Sequence, residues 1–393
     1  TTYFLAKHGF KKSILKQLEQ YKIGILQIEE QIKTNDLEEP FFAELIEQLN
    51  KEKLYSTPTF YKNKVFWMRF FNCIFFFALS FYILYYSTNI WLQLFCVFIQ
   101  AIIATSLFGL IAHEATHRNY PKNKFFKSVL SITWPIFWPF ITQYGLRYEH
   151  NSHHIKIGDA DYDYEVAAFA SFIRYSGKIK HTFLHKYQHV IAMFMYPFYA
   201  NIITTIGGIN STFWSKHNRK IALRHNISLF LTVCYFIILP AFIGDTSIIK
   251  LIVLYVVFQC VLFSGIYVSS AINHFVPPVT IPIPEEHKNK YAFYVCHNTT
   301  NFCLDSKFWY WYTGGFNIQL EHHLVPFVAT ENLRKMSKIV QQLCKKYAYP
   351  YYNYPTFGAL WSAHYTYLKL MSDKKINKDI ENEMDNKKSY QAR

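Results

Sequence analysis

The sequence predicts an all-α integral membrane protein, with four transmembrane helices, interfacial helices beside them and a cytosolic helical cap. Three observations lead there. Four apolar runs approach the about 20 residues that a helix needs to cross a bilayer, at 65–86, 90–112, 227–243 and 251–272. Lysine and arginine avoid the connectors 87–89 and 244–249, whereas the section 113–226 contains fourteen of them. Histidines recur at helical spacing where the runs end.

Composition supports this class. Of 393 residues, 51% are hydrophobic and 19% are aromatic, which suits lipid as a solvent. The first 60 residues are charged and contain no signal-peptide core, so the spans themselves are expected to hold the protein in its membrane. The seven cysteines are scattered without a Cys-x-x-Cys pair and read as packing residues. The net charge of +15 accompanies no nucleic-acid module, so no nucleic-acid partner is expected. Anionic headgroups or an acidic redox partner fit that charge better.

Three regions follow from the pattern. Residues 1–64 form a cytosolic amphipathic helical region, in which Ile14, Leu18, Tyr21, Ile25, Ile28 and Ile32 alternate spacings of four and three. Residues 65–349 form the membrane domain with the histidine groups. Residues 350–393 are a C-terminal extension, charged and expected to be disordered after 373. By the positive-inside rule the N-terminus, the section 113–226 and everything after residue 275 face the cytosol. Two further apolar stretches, 129–141 and 190–206, are interrupted by Pro135, Pro139 and Pro197 and are expected to lie in the interface.

Three histidine groups share one arithmetic. "HEATH" sets His113 and His117 at i and i+4; "HNSHH" sets His150, His153 and His154 at i, i+3 and i+4; "QLEHH" sets Gln319, His322 and His323 likewise. On a helix these positions share a face, with Cβ atoms about 5–6 Å apart, a spacing suited to a shared metal. Depth agrees. His113 lies about 23 residues beyond the start of its run, roughly 35 Å at a helical rise, and the hydrocarbon core is about 30 Å thick. The same arithmetic brings His274 to the same boundary at the end of the last run. Eight histidines exceed what one tetrahedral zinc takes, so two metals are implied in the cap. Iron with oxygen is the pair able to attack an unactivated alkyl chain. Glu149, Asp159, Asp161, Asp163 and Glu321 flank the groups as candidates to hold imidazole N–H groups. His181, His185 and His189 repeat the spacing without an adjacent-histidine pair and are read as outside the site.

At these residues the chain resembles the membrane fatty-acid desaturases, whose boxes read His-x-x-x-His, His-x-x-His-His and Gln-x-x-His-His. The glutamine and the phrases "RYEHNSHHIKIGDADYD" and "GGFNIQLEHHLVP" are similar to the front-end branch, which includes linoleoyl-CoA and delta-5, delta-6 and delta-8 acyl-lipid enzymes. The resemblance implies a di-iron centre, with two iron ions and O2 as co-substrate, that inserts a double bond into a fatty-acyl chain presented with membrane lipid. It carries the ligand role to His113, His117, His150, His153, His154, His322 and His323, with His274 and Gln319 as further candidates. No His-Pro-Gly-Gly haem motif accompanies the boxes, so a separate cytochrome b5 or ferredoxin is expected to bring electrons. The active site then faces the cytosol, from the endoplasmic reticulum of a eukaryote or the inner membrane of a bacterium. Two alternatives share parts of this reading: a lipid hydroxylase on the same scaffold and a non-redox zinc-binding membrane protein.

Overall fold

A computed structural model describes residues 39–54, 64–107, 113, 117, 150–151, 153–198, 227, 230–244, 247–280, 283–287 and 289–374. The stripe at 14–32, the stretch 129–141, Glu149 and the tail after 374 lie outside the described residues.

Among the described residues three helices are long and apolar enough to cross a membrane: α2 (Lys64–Tyr86), α3 (Ile90–Leu107) and α4 (Ile248–Ser270). Each is apolar around its whole circumference, as a helix facing lipid on one side and protein on the other should be. α3 packs between α2 and α4, while Trp91 and Ile249 leave 77% and 76% of their surface outward. The α2–α3 hairpin is tied by Gln93, whose Nε2 donates to the carbonyls of Leu84 and Ser87 at 3.2 and 2.7 Å. Caps begin α3 and α4: Asn89 Oδ1 accepts from Trp91 N and Leu92 N, and Ser247 Oγ accepts from Lys250 N. A shorter apolar helix covers Phe230–Ile243 and contains a π turn at Cys234–Ile238, where Pro240 withholds an N–H from the regular ladder.

Between residues 183 and 198 the chain is amphipathic. Phe183, Tyr187, Val190, Phe194 and Phe198 are exposed at spacings of three and four, while His185, Gln188, Ala192 and Tyr196 are buried on the other side.

The remaining described elements pack around the ends of these helices. α1 (Pro40–Lys51) opens with proline at its first turn and buries Phe41, Phe42, Leu45, Ile46 and Leu49 against α8 (Leu333–Tyr347). Glu39 precedes it and accepts hydrogen bonds from Ala292 N and Phe293 N, in the first turn of α5 (Tyr291–Asn298). After α5 comes β1 (Thr300–Phe302), then α6 (Lys307–Tyr312) and α7 (Gln319–Leu324). Beyond α8, β2 (Tyr352–Tyr354) pairs in parallel with β1, Asn301 opposite Asn353. α9 (Phe357–Met371) then packs below them, so residues 352–371 belong to the folded body. Buried Arg174 donates to the carbonyls of Ile179, Met371 and Asp373, two of them at the C-terminal end of α9. Among the described residues the architecture is helical apart from that two-strand ladder.

Candidate metal centre

The histidines meet where the membrane helices end. His113 follows α3, His274 follows α4 in a short 3-10 turn (Ile272–His274), and α7 contributes Gln319, His322 and His323. Two groups form. Ring nitrogens of His113, His117, His150, His154 and His322 lie within 4.8 Å of one another, and those of His153, His274 and His323 do the same. The groups touch, because the rings of His154 and His323 stack at 4.1 Å. His117 is half-buried, and the other seven are buried.

Several rings are oriented from behind. His153 Nδ1–H donates to Asp163 Oδ2 at 2.8 Å, and Gly158 N donates to the same oxygen at 2.8 Å. His274 Nδ1–H donates to the carbonyl of Asn298 at 3.0 Å, at the end of α5. With Nδ1 used as donor, Nε2 of each ring is left as a lone-pair site. The next residue after His274 is held too: His364 Nδ1–H donates to the Phe275 carbonyl at 2.8 Å, and Tyr196 OH donates to His364 Nε2 at 2.7 Å.

A test of whether metal fits comes from the inward nitrogens. Nε2 atoms of His113 and His150 are 2.6 Å apart, those of His150 and His154 2.9 Å, and those of His154 and His322 3.2 Å. A neutral imidazole has one N–H, so a buried ring of such encounters cannot be satisfied pairwise. Protonation is closed off as well. Burial first, and then neighbouring imidazoles, hold His150, His154 and His323 well below the usual histidine range. His274 Nε2 is buried without a hydrogen-bond partner among the described residues. Inward lone pairs with no proton to share suit a cation, and all-imidazole sets suit a transition metal. Gln319 stands beside the smaller set, its amide nitrogen 3.2 Å from His323 Nε2 and its oxygen Oε1 buried without a partner among the described residues.

The acidic neighbours divide. Among the described residues Asp163 is the carboxylate that meets an imidazole of the site; burial raises its pKa, but His153 and the Gly158 N–H outweigh that and hold it below the usual range. Asp159 and Asp161 pair instead with Lys178 at 3.5 and 2.9 Å, near the surface. Glu321 is fully buried and turns away from the rings toward Asn301 and Tyr351. Burial raises its pKa, against those hydrogen bonds. His185 has both nitrogens in local bonds, Nδ1 accepting from Thr182 N and Nε2 donating to the Ala170 carbonyl, and His181 Nε2 donates to the Ser372 carbonyl. Sequence reasoning missed Asn298, whose contribution is a backbone carbonyl, and Asn301 and Tyr351, which no spacing rule connects to the boxes.

The fatty acid desaturase family model matches residues 88–355, a stretch that encloses every histidine of both groups. The chain belongs to this family. Membership makes it a membrane oxidoreductase of the fatty-acyl desaturase kind. It is 26% identical over 312 residues to an acyl-lipid (8-3)-desaturase of Physcomitrium patens, covering 75% of this chain and 63% of that protein. It is 25% identical over 286 residues to a sn-1 linoleoyl-lipid 6-desaturase of Arthrospira platensis, covering 69% and 76%. Acyl-lipid (8-3)-desaturase B of Dictyostelium discoideum is 24% identical across 95% of this chain and 84% of its own length. The chain thus spans about two thirds of the moss protein and more of the other two. No solved structure matches it.

Proposed function

We propose that this desaturase is a front-end enzyme that inserts a double bond between an existing one and the carboxyl end of a lipid-borne acyl chain. The observation that carries the reading is the split of eight imidazoles into a set of five and a set of three, meeting at the ends of apolar helices. Two iron ions held by those sets, with Gln319 beside the second, would supply the oxygen-activating chemistry that removes hydrogen from two adjacent carbons. The rest is work for the chain.

His153 and His274 keep their Nδ1 protons on Asp163 and Asn298, so their Nε2 atoms stay directed inward throughout. The Phe316 ring, 4.1 Å from the ring of His113, keeps one wall of the site apolar. The spans α2, α3 and α4 are the surface along which an acyl chain approaches from lipid. Electrons come from a cytochrome b5 or ferredoxin, for which the basic composition offers a complementary face. Four membrane crossings with the site on the cytosolic side complete the proposal.

The test is lipid analysis by gas chromatography and mass spectrometry in a host expressing the natural chain or His323→Ala, fed linoleate and its saturated relatives. A new double bond on the carboxyl side of an existing one, absent with the variant, is the expected result. A hydroxylated product would move the reading to the hydroxylase. An unchanged acyl profile in a host shown to supply electrons, with zinc in the purified protein, would overturn it.

A further inference from the structure

Glu321 lies in the third histidine group, one residue before His322, yet its hydrogen bonds run away from the rings. Asn301 Nδ2 donates to its Oε2 at 2.8 Å and Tyr351 OH donates to its Oε1 at 2.9 Å. Asn301 grips the same turn a second time, because its Oδ1 accepts from Leu320 N at 2.9 Å. The remaining N–H of that amide faces Tyr351 OH at 2.9 Å. Behind Tyr351 stands Ser337 Oγ at 3.0 Å, which in turn accepts from Gln341 Nε2 at 3.0 Å. In this set the carboxylate accepts twice, the amide donates twice and accepts once, and the phenol donates to the carboxylate while accepting from the amide. The network joins α7 to β1, to α8 and to the residue just before β2.

Its location matters because of the element it holds. α7 is six residues long, too short to keep its own conformation by helix cooperativity. From it His322 enters the five-ring set and His323 the three-ring set. Neighbouring residues on a helix point about 100° apart, so a small rotation of α7 swings both rings out of their sets at once. A carboxylate clamped on the opposite face fixes that rotation.

We propose that Tyr351 and Asn301 are positioning residues of the metal centre, acting through Glu321 to set the rotation of α7 and so the aim of His322 and His323. This inference rests on the metal-centre reading above. It assigns part of the site's precision to a tyrosine 28 residues beyond the last box histidine.

The experiment loads the full detergent-purified chain with ferrous iron without oxygen and counts iron per chain. It then follows iron release to excess ferrozine for the natural protein, Tyr351→Phe, Glu321→Gln and the double variant. The expected result is release roughly 10- to 100-fold faster in each single variant, the range seen when support behind a metal ligand is removed. The double variant should release no faster than Glu321→Gln alone, because Tyr351 works through that carboxylate. Ser337→Ala, which removes only the support behind Tyr351, should give a smaller acceleration and serves if Tyr351→Phe does not fold. Release at the natural rate in these tyrosine and serine variants, or effects that multiply in the double variant, overturns the proposal. So does acceleration that only tracks a falling melting point of the metal-free protein. If the natural chain binds no iron, the metal-centre reading fails and takes the inference with it; if it binds two and the variants behave alike, the inference alone fails.

Discussion

His153 illustrates how a candidate ligand is governed by the nitrogen that faces away from the metal. Asp163 accepts a hydrogen bond from its Nδ1–H, the Asn298 carbonyl does the same for His274, and each ring is left with one inward lone pair. The rings are also kept from charging. In the folded, metal-free protein His150, His154 and His323 lie well below the ordinary histidine pKa, chiefly through burial. In the unfolded chain they return to about 6.5. Above that value neither state is protonated and stability does not change through these groups. Below it the unfolded chain binds protons that the folded chain refuses, so stability falls, by up to about 1.4 kcal/mol per pH unit for each ring. The melting point of the metal-free protein is therefore expected to be flat above about pH 6.5 and to fall on acidification, less steeply in His154→Gln. Thermal unfolding followed by circular dichroism in detergent at a series of pH values measures this. A melting point that climbs on acidification would contradict the burial of neutral rings.

At the scale of the element, α7 depends on the turn that delivers it. Gly314 and Gly315 both have positive φ, 63° and 99°, and a Cβ built at Gly315 would stand 2.1 Å from Thr330 Cγ2. Gly315→Ala therefore meets two costs, a backbone conformation that L side chains rarely adopt and a collision with a buried methyl. The expected loss is about 1–3 kcal/mol from the backbone alone. Thr330→Ser, which deletes the methyl, should recover the steric part and leave the backbone part. Unfolding midpoints of the two single variants and the pair give the comparison, and a harmless Gly315→Ala would mean that the turn is not held as described. The same element marks the limit of what a sequence discloses. The i, i+3, i+4 spacing of the box histidines is local, so it is legible in "QLEHH" and "HNSHH". The partition into five and three is not, because it depends on which helix ends approach. Asp163 and Asp159 look alike in "GDADYD", and only the fold turns one toward His153 and the other toward Lys178. The packing of α9 and the pairing of β2 were equally hidden, since a three-residue strand has no period to read and takes its meaning from its partner.

At the scale of the whole molecule, apolar run length was legible because a bilayer imposes a length on each span: the runs at 65–86 and 251–272 fall within three residues of α2 and α4. The number of crossings is an argument about parity. α3 and α4 both run toward the histidines, since His113 follows one and His274 the other, and the two histidine groups touch. Both helices therefore start on the opposite face, which places the connectors 87–89 and 244–247 together there. Between His117, on the site's side, and Ser247, on the far side, the chain has to cross an odd number of times. The helix Phe230–Ile243 is the apolar segment available among the described residues, and Ile227 is helical as well. At a helical rise, Phe230–Ile243 spans about 21 Å of the roughly 30 Å of hydrocarbon. Four crossings are expected. The seven native cysteines are buried or half-buried, so single added cysteines can report the side of each connector. With a membrane-impermeant maleimide on sealed vesicles, Thr88→Cys and Ser247→Cys should label from one side and Lys369→Cys, exposed on α9, from the other. Labelling of Ser247→Cys from the side of Lys369→Cys would mean that Phe230–Ile243 does not cross. α4 would then have to begin on the same side as the histidines it delivers, a geometry that the 23-residue apolar helix cannot satisfy.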